Sequence, residues 1–411
     1  MSSALPSYEQ AAAVVAAIAA RILQSRPAAT ETVTLADASG RVLASALAAD
    51  RDQPPFARST RDGFACRAAE ASSHEFLNLA GATRAGEAAG GPLPPHAAWE
   101  IMTGAPVPAG ADAVVMVEHV DVVGQRVRLL PPRKASAGDN IVPQGAQARA
   151  GDELLAAGEL ITFSQIALAA ECGEAMLEVF RRPRVAILAT GDELVPVEAT
   201  PGPGQIRNSN APMLAALVQA AGGEPWVLPA AVDTAESLDA ALAEAASADM
   251  LLISGGVSAG KFDLVEPALS RMGAEFHFTG VRIQPGKPLV FGELPGLPFF
   301  GLPGNPVSSA VTFLLFGAPV LVALAGRSSL GPRFTQARLA ADTDRRAKTG
   351  LTRFLPAFCT FGAAGALPEV ALIPWQGSGD LAALARSNCF LVIPEDAASL
   401  AAGETVQILL P

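Results

Sequence analysis

Charge, aromatic rings, histidine and cysteine are all scarce in this 411-residue chain, and each scarcity excludes something. Charged residues make up 17% and aromatics 5%. The four histidines do not cluster, so nothing supports a His-based metal centre or a Ser/His/Asp or Cys/His nucleophile. Cys66, Cys172, Cys359 and Cys389 lie far apart, without CxxC or CxxH spacing. They read as reduced, mostly buried thiols and argue against a zinc cluster. Basic residues are outnumbered, 29 Lys+Arg against 40 Asp+Glu, for a formal charge of −11. A non-specific nucleic-acid binder would need the opposite balance. The chain also lacks a Walker Lys-Ser/Thr pair and a GxGxxG fingerprint, which weakens P-loop and dinucleotide readings. No basic region leads into an apolar run near the N-terminus, so no signal peptide is expected and a cytoplasmic location is.

One stretch lacks charge altogether, between Glu293 and Arg327. Prolines and glycines break its first half, and Ser308, Ser309, Thr312 and Gly317-Ala318-Pro319 interrupt the second. A spanning helix needs about 20 predominantly apolar residues. A buried core helix is therefore the expectation. What the chain does have is apolar mass: 50% hydrophobic residues exclude a disordered chain. At roughly 150 residues per domain, the length predicts two to four domains.

The texture changes twice along the chain. Residues 7–24 carry a helical stripe of Val14, Val15, Ile18, Ile22 and Leu23, with Ser7 and Gln10 as a capping box and Pro27 as a stop. From about 32 to 145, short β-like runs such as Ala113–Val117 alternate with Gly and Pro, predicting a β-rich insert with long loops. Ile161 to Ala170 is expected to pack back against the first helix. At Arg184 strand and helix begin to alternate. Apolar strands fall at Val185–Ala189, Val227-Leu228, Met250–Ile253 and Phe299-Phe300, with helices from about Pro212 and near Glu236–Ala246. That is the pattern of a doubly wound parallel α/β sheet covered on both faces. After Arg333 short strands return, suggesting a small β-barrel or sandwich.

Ligands in such sheets bind at the carboxyl ends of strands, where the Gly-rich turns fall here. Thr190-Gly191-Asp192-Glu193 follows a buried strand and could hold a divalent cation or polarise a water. The bland reading is acidic residues complementing a helix N-terminus. Ser254-Gly255-Gly256-Val257-Ser258-Ala259-Gly260 also follows a buried strand. Its backbone N–H groups suit a phosphate, with Asp263 placed to hold a cation. The alternative is a tight strand-to-helix turn with Asp263 as N-cap. Gln284-Pro285-Gly286-Lys287-Pro288 fixes one point charge between prolines, and Leu302 to Ser308 presents hydroxyls at a helix start. Together these loops look like an oxyanion pocket. Asp62-Gly63, taken alone, is an ordinary turn dipeptide.

As a set, these stretches resemble the molybdopterin molybdenumtransferase (MoeA/gephyrin) family, the molybdenum insertases. The matching residues are Asp62 to Ala65, Ile101 to Asp112, Thr190 to Leu194, Ser254 to Asp263, Pro285 to Pro288, Leu302 to Ser308, Gly350 to Arg353 and Gln376 to Gly379, in order. The resemblance implies four domains in an elongated homodimer: an N-terminal helical and extended domain (1–45 with 146–182), a β-rich insert (46–145), the α/β molybdopterin-binding domain (183–330) and a C-terminal β-barrel (331–411). The implied reaction joins molybdate to adenylated molybdopterin, with Mg²⁺ assisting release of AMP. Lys287, Ser308, Arg353 and Ser378 match the family's oxyanion site, and Pro288 and Asn305 flank it. Ser254, Gly255, Gly256 and Ser258 form the phosphate loop, and Thr103 is a hydroxyl of the second domain's cleft-facing motif. Asp62, Glu193 and Asp263 match acidic positions that act in catalysis and hold Mg²⁺, with Asp233 as a further candidate. Asp62 is expected to act across the dimer interface. The adenylyltransferase of the same pathway and apo-molybdoenzymes are the implied partners. Three positions depart from the family: Arg61 where many members have Met, Gln147 in place of an acidic residue, and Gln284 in place of a Lys. A pterin or nucleotide pyrophosphate hydrolase and a non-catalytic scaffold remain alternatives. The presence of Lys287, Arg353 and Ser378 disfavours the first, and that of Asp62 and Glu193 the second.

Overall fold

The computed structural model describes every residue except 1–4, 26–28, 257–263, 329–330, 344–349 and 363–364. Its centre is a six-stranded sheet. The order across it is Glu224–Val227, Arg184–Ala189, Met250–Ser254, Leu297–Leu302, Val290–Leu294 and Glu275–Thr279. The first four strands are parallel, Val290–Leu294 runs against them, and Glu275–Thr279, antiparallel to it, returns to their direction. The sheet is therefore mixed, not all parallel. The reason is local: Glu293 to Pro298 turns tightly at Pro295-Gly296, too short a connection for a crossover helix.

The apolar runs of the parallel strands exist because both faces are covered. Val185, Ile187, Met250, Leu252 and Phe300 point into one core, with the helices Tyr8–Ser25, Asn210–Ala220 and Pro306–Leu324. Ala186, Leu188, Leu251, Ile253 and Phe299 point into the other, under the helices Ala235–Ala245 and Val265–Arg271. Side-chain alternation in a strand makes the two sets inevitable. The charge-free stretch forms a helix from Pro306 to Leu324, long and apolar enough to cross a membrane but 83% buried inside the molecule. Gly317-Ala318-Pro319 does not split it. A π-turn over Phe313–Gly317 carries the helix through, and Pro319 falls in the first turn of the α segment that follows.

The first helix starts at Tyr8, and Ser7 and Gln10 exchange the bonds of a capping box. One expectation about its neighbours fails. The helix Phe163–Glu171 packs with Leu43, Leu177 and Val179, not against the first helix. Val15, Ala19 and Ile22 of the first helix instead cover the α/β core, because that face offers the larger apolar surface.

A second six-stranded sheet draws its strands from residues 63–129, with Gly63–Cys66 between Ala113–Met116 and Ala97–Ile101. Near the C-terminus, Thr352–Thr360 pairs with both Glu369–Leu372 and Cys389–Ile393. Arg333–Leu339 and Thr405–Leu410 complete a closed five-stranded barrel. All four cysteines are free and buried.

Candidate functional site

Parallel register brings the carboxyl ends of three strands side by side. Ala189 pairs with Ser254, and Ser254 with Leu302. The residues that follow are stitched together: the Thr190 N–H donates to Ser254 O (3.0 Å) and the Gly255 N–H to Leu302 O (3.2 Å). Around them opens a cleft of about 430 Å³ lined by Thr190, Glu193, Asn210, Ser254, Gly255 and Asn305, among others. Gly255 is required there. Its φ is +95°, and a Cβ would stand 2.7 Å from the Thr190 carbonyl oxygen.

Asn210 is the most constrained side chain of the cleft. Its Nδ2 donates to Ser254 Oγ (2.8 Å) and to the Gly304 carbonyl (2.6 Å), while its Oδ1 is buried with no partner among the described residues. The amide orientation is therefore fixed, and a lone acceptor is left for a ligand N–H or O–H. The Thr190 hydroxyl is likewise buried and unpartnered among the described residues. On the opposite wall, Asn305 Nδ2 donates to Ser378 Oγ (2.9 Å), and the Val307 N–H to the Ser378 carbonyl (3.0 Å). These bonds tie the Gln376–Gly379 loop to the start of the long helix. Asp380 holds the loop's other side by accepting from the Ala383 and Gln376 N–H groups, which, Ala383 foremost, keep its carboxyl below the usual range.

Asp233 lies behind Thr190, sharing a small cavity with it and with Gly256. Its N–H donates to Asp192 Oδ1 (3.0 Å). Burial first, then the nearby carboxylates of Asp192 and Glu193, push its pKa up.

The Lys287 loop forms a second group. Gln284 pairs in register with Arg353. Gly286 lies against the long helix: a Cβ there would fall 2.5 Å from Thr312 Cγ2, one turn beyond Ser308. Lys287 is exposed, Pro288 half-buried and Ser308 buried. Arg353 is only 4% exposed, and its Nη2 donates to the carbonyls of Ala397 (2.9 Å) and Ala398 (3.3 Å). Its Nε has no partner among the described residues, and burial lowers its pKa.

Asp62 and Thr103 form a third group, on the other sheet. The Thr103 N–H and hydroxyl both donate to Asp62 Oδ1, at 2.6 and 2.7 Å, and hold its carboxyl below the usual range. The fold thus gathers Glu193, Ser254, Gly255 and Asn305 directly and Ser378 through Asn305. Gly256 and Asp233 sit behind Thr190. The Lys287 loop runs beside the strand of Arg353 and the helix of Ser308 through Gln284 and Gly286, with no bond joining Lys287, Ser308 and Arg353 among the described residues, while Asp62 and Thr103 pair with each other on the second sheet. Ser258 and Asp263 lie outside the described residues. Among the described residues, no three His, Cys, Asp or Glu side chains are grouped to hold a metal ion. Reading the sequence missed Asn210 and the role of Thr190. The polar triplet Asn208-Ser209-Asn210 just before a helix was the available clue.

The same division into three parts recurs in the comparisons. Residues 6–173 match the family described as MoeA N-terminal region (domain I and II), residues 186–323 the probable molybdopterin binding domain, and residues 337–410 the MoeA C-terminal region (domain IV). The molybdopterin molybdenumtransferase of Nostoc sp. is 35% identical over 92% of this chain and 88% of its own. That of Bacillus subtilis is 36% identical over 93% and 90%. The chain belongs to the molybdopterin molybdenumtransferase (MoeA) family. The solved MoeA protein of Pyrococcus horikoshii OT3 superposes with a TM-score of 0.81 at 27% identity, covering 99% of this chain and all of that one. A second Pyrococcus MoeA structure gives 0.75 at 32% identity, covering 96% and 98%. In family terms, the cleft and the Lys287 group lie within and beside the probable molybdopterin binding domain. Asp62 and Thr103 lie in the N-terminal region.

Proposed function

We propose that this chain is a molybdenum insertase, transferring molybdate into adenylated molybdopterin with release of AMP to give molybdenum cofactor. The observation that carries the reading is the strand-end cleft, where Ser254, Gly255 and Asn305 line the wall and Asn210 offers a fixed acceptor. It lies in the segment matched to the probable molybdopterin binding domain, within a chain matched along its length to molybdenumtransferases. The Thr190 and Gly255 N–H groups are already bonded to carbonyls, so the glycine-rich loop after Ser254 is what receives phosphate, and Asn210 orients the pterin by accepting one of its N–H groups. Lys287, Ser308, Arg353 and Ser378 receive molybdate, a tetrahedral dianion that needs donors without competing carboxylates.

Hard carboxylate oxygens at Asp62, Glu193 and Asp263 suit Mg²⁺, while the pKa of Asp233 is raised by burial first and only then by the carboxylates of Asp192 and Glu193. Mg²⁺ is commonly held by one or two carboxylates together with substrate phosphates, so a protein-only cage is not required. When bound, it neutralises charge on the pyrophosphate. Glu193 then orients the attacking oxygen. Asp62, held by Thr103, completes the site from the partner subunit of a homodimer. The protein works in the cytoplasm, downstream of the pathway's adenylyltransferase and upstream of apo-molybdoenzymes.

The test is reconstitution of an apo-molybdoenzyme from adenylated molybdopterin, molybdate and Mg²⁺. Wild type is expected to activate it. Glu193→Ala should abolish activation, and Lys287→Ala should raise the molybdate concentration needed about tenfold, the loss of one charge-assisted contact. Normal activation by Glu193→Ala would remove the carboxylate's assigned role.

A further inference from the structure

The helices Asn210–Ala220 and Pro306–Leu324 begin at the strand-end cleft and end at a second cavity, of about 230 Å³. Four arginines line that cavity: Arg41, Arg181, Arg182 and Arg327. No Asp or Glu lines it. In a chain of net charge −11, this is a local inversion of sign. Two of the four are neutralised from outside the cavity. Arg41, 8% exposed, pairs with Glu31 and donates to the Phe180 carbonyl (2.9 Å). Arg181 pairs with Asp249 at 2.8 Å. The Arg182 and Arg327 side chains make no hydrogen bond or ion pair among the described residues.

The bland reading is that these two complement the helix C-termini, Gln219 to Gly222 and Val322 to Ala325, which also line the cavity. Each C-terminus carries roughly half a negative charge. Two carboxylates and two helix ends together offset about three of the four positive charges. About one unit of positive charge is left over, facing a concave space. Val42, Leu160 and Val322 also line the cavity, and apolar lining lowers the local dielectric and strengthens the attraction for an anion that enters.

We propose that this cavity is an anion site for a phosphate-bearing ligand, separate from the strand-end cleft. Guanidinium groups favour phosphate because their paired N–H donors match its oxygens. The volume is several times the roughly 30 Å³ share of one water, so it admits more than a single bound water or chloride. Free phosphate or pyrophosphate and the phosphate of a nucleotide share this chemistry. A bound ligand would bridge residues 40–42 and 180–182 to the ends of two helices whose other ends form the cleft.

Calorimetric titration of the full chain at constant ionic strength tests it, with phosphate, pyrophosphate and AMP in separate arms. Wild type is expected to bind one of them saturably, and the tightest arm identifies the source. The double variant Arg182→Ala/Arg327→Ala should weaken binding by about tenfold or more, as expected when charge-assisted bonds are lost. Binding should persist in Lys287→Ala and Asn305→Ala, which alter the proposed substrate site. The Arg182 side chain is exposed and neither arginine is paired, so the double variant should keep its fold, checked by its unfolding midpoint. No saturable binding by wild type overturns the proposal, and so does binding lost in the cleft variants but kept in the arginine variant.

Discussion

The carboxylate of Asp62 takes two hydrogen bonds on one oxygen, both from Thr103, and is fully open to solvent. The N–H of Thr103 is the larger influence and its hydroxyl the second; together they favour the ionised form. The folded pKa is therefore below the unfolded one. Whatever stability the pair contributes is present above the ordinary Asp range and is lost as pH falls through the lowered value. Carboxyl resonances followed by NMR should show Asp62 titrating below an ordinary Asp. In Thr103→Val its midpoint should rise partway, because the backbone donor remains. An unchanged midpoint would show that the hydroxyl does not hold the carboxylate. Nothing in Asp62-Gly63 as a dipeptide reveals this pairing. It requires Gly63 to stand opposite Ile101 in the sheet, so that Asp62 and Thr103 meet just beyond its edge. Asn210 was illegible for a similar reason, since its partners Ser254 and Gly304 lie 44 and 94 residues away.

At the scale of elements, local pattern carried further. The run Val185–Ala189 reads as a two-faced buried strand because no polar side chain interrupts it, and it forms one over Arg184–Ala189. The Ser7 and Gln10 cap is local chemistry and sits where it was expected. What pattern could not decide was partnership. The antiparallel strands Glu275–Thr279 and Val290–Leu294 mix polar residues into their apolar ones, unlike the parallel run Arg184–Ala189, but this texture does not name their partners; the tight Pro295-Gly296 turn marks the reversal. The helix Phe163–Glu171 likewise has an apolar stripe that fits several surfaces. Glycine at strand ends was legible as a requirement, and Gly255 tests it. Gly255→Ala forces a Cβ toward the Thr190 carbonyl at φ +95°, at a cost of about 1–3 kcal/mol. Denaturant unfolding should show that loss, with the cleft's activity falling further than stability does. A variant of unchanged midpoint would mean that the strand ends relax freely.

The whole molecule poses the question of how its acidic groups cooperate. Asp62 immediately precedes the sheet of residues 63–129 and Glu193 follows the α/β strand Arg184–Ala189, and each makes its hydrogen bonds within its own unit. If the active site is completed by a partner subunit, Asp62→Ala and Glu193→Ala chains should each be inactive alone. Mixed, they should recover about a quarter of wild-type activity, since half the dimers are mixed and each then holds one intact site. No recovery on mixing would place both residues in one subunit's site. The charge of −11 fits the same account, because the proposed ligands are anions and long-range attraction is absent. In the proposed function, capture then falls to Lys287, Arg353 and the glycine-rich loop after Ser254. The central claim is that molybdate and pyrophosphate cleavage are joined in one reaction. Its most direct measurement is AMP released from adenylated molybdopterin by the purified chain with Mg²⁺, with and without molybdate. The account predicts release that depends on molybdate and saturates with it; AMP release at the same rate without molybdate would contradict it and mark a hydrolase.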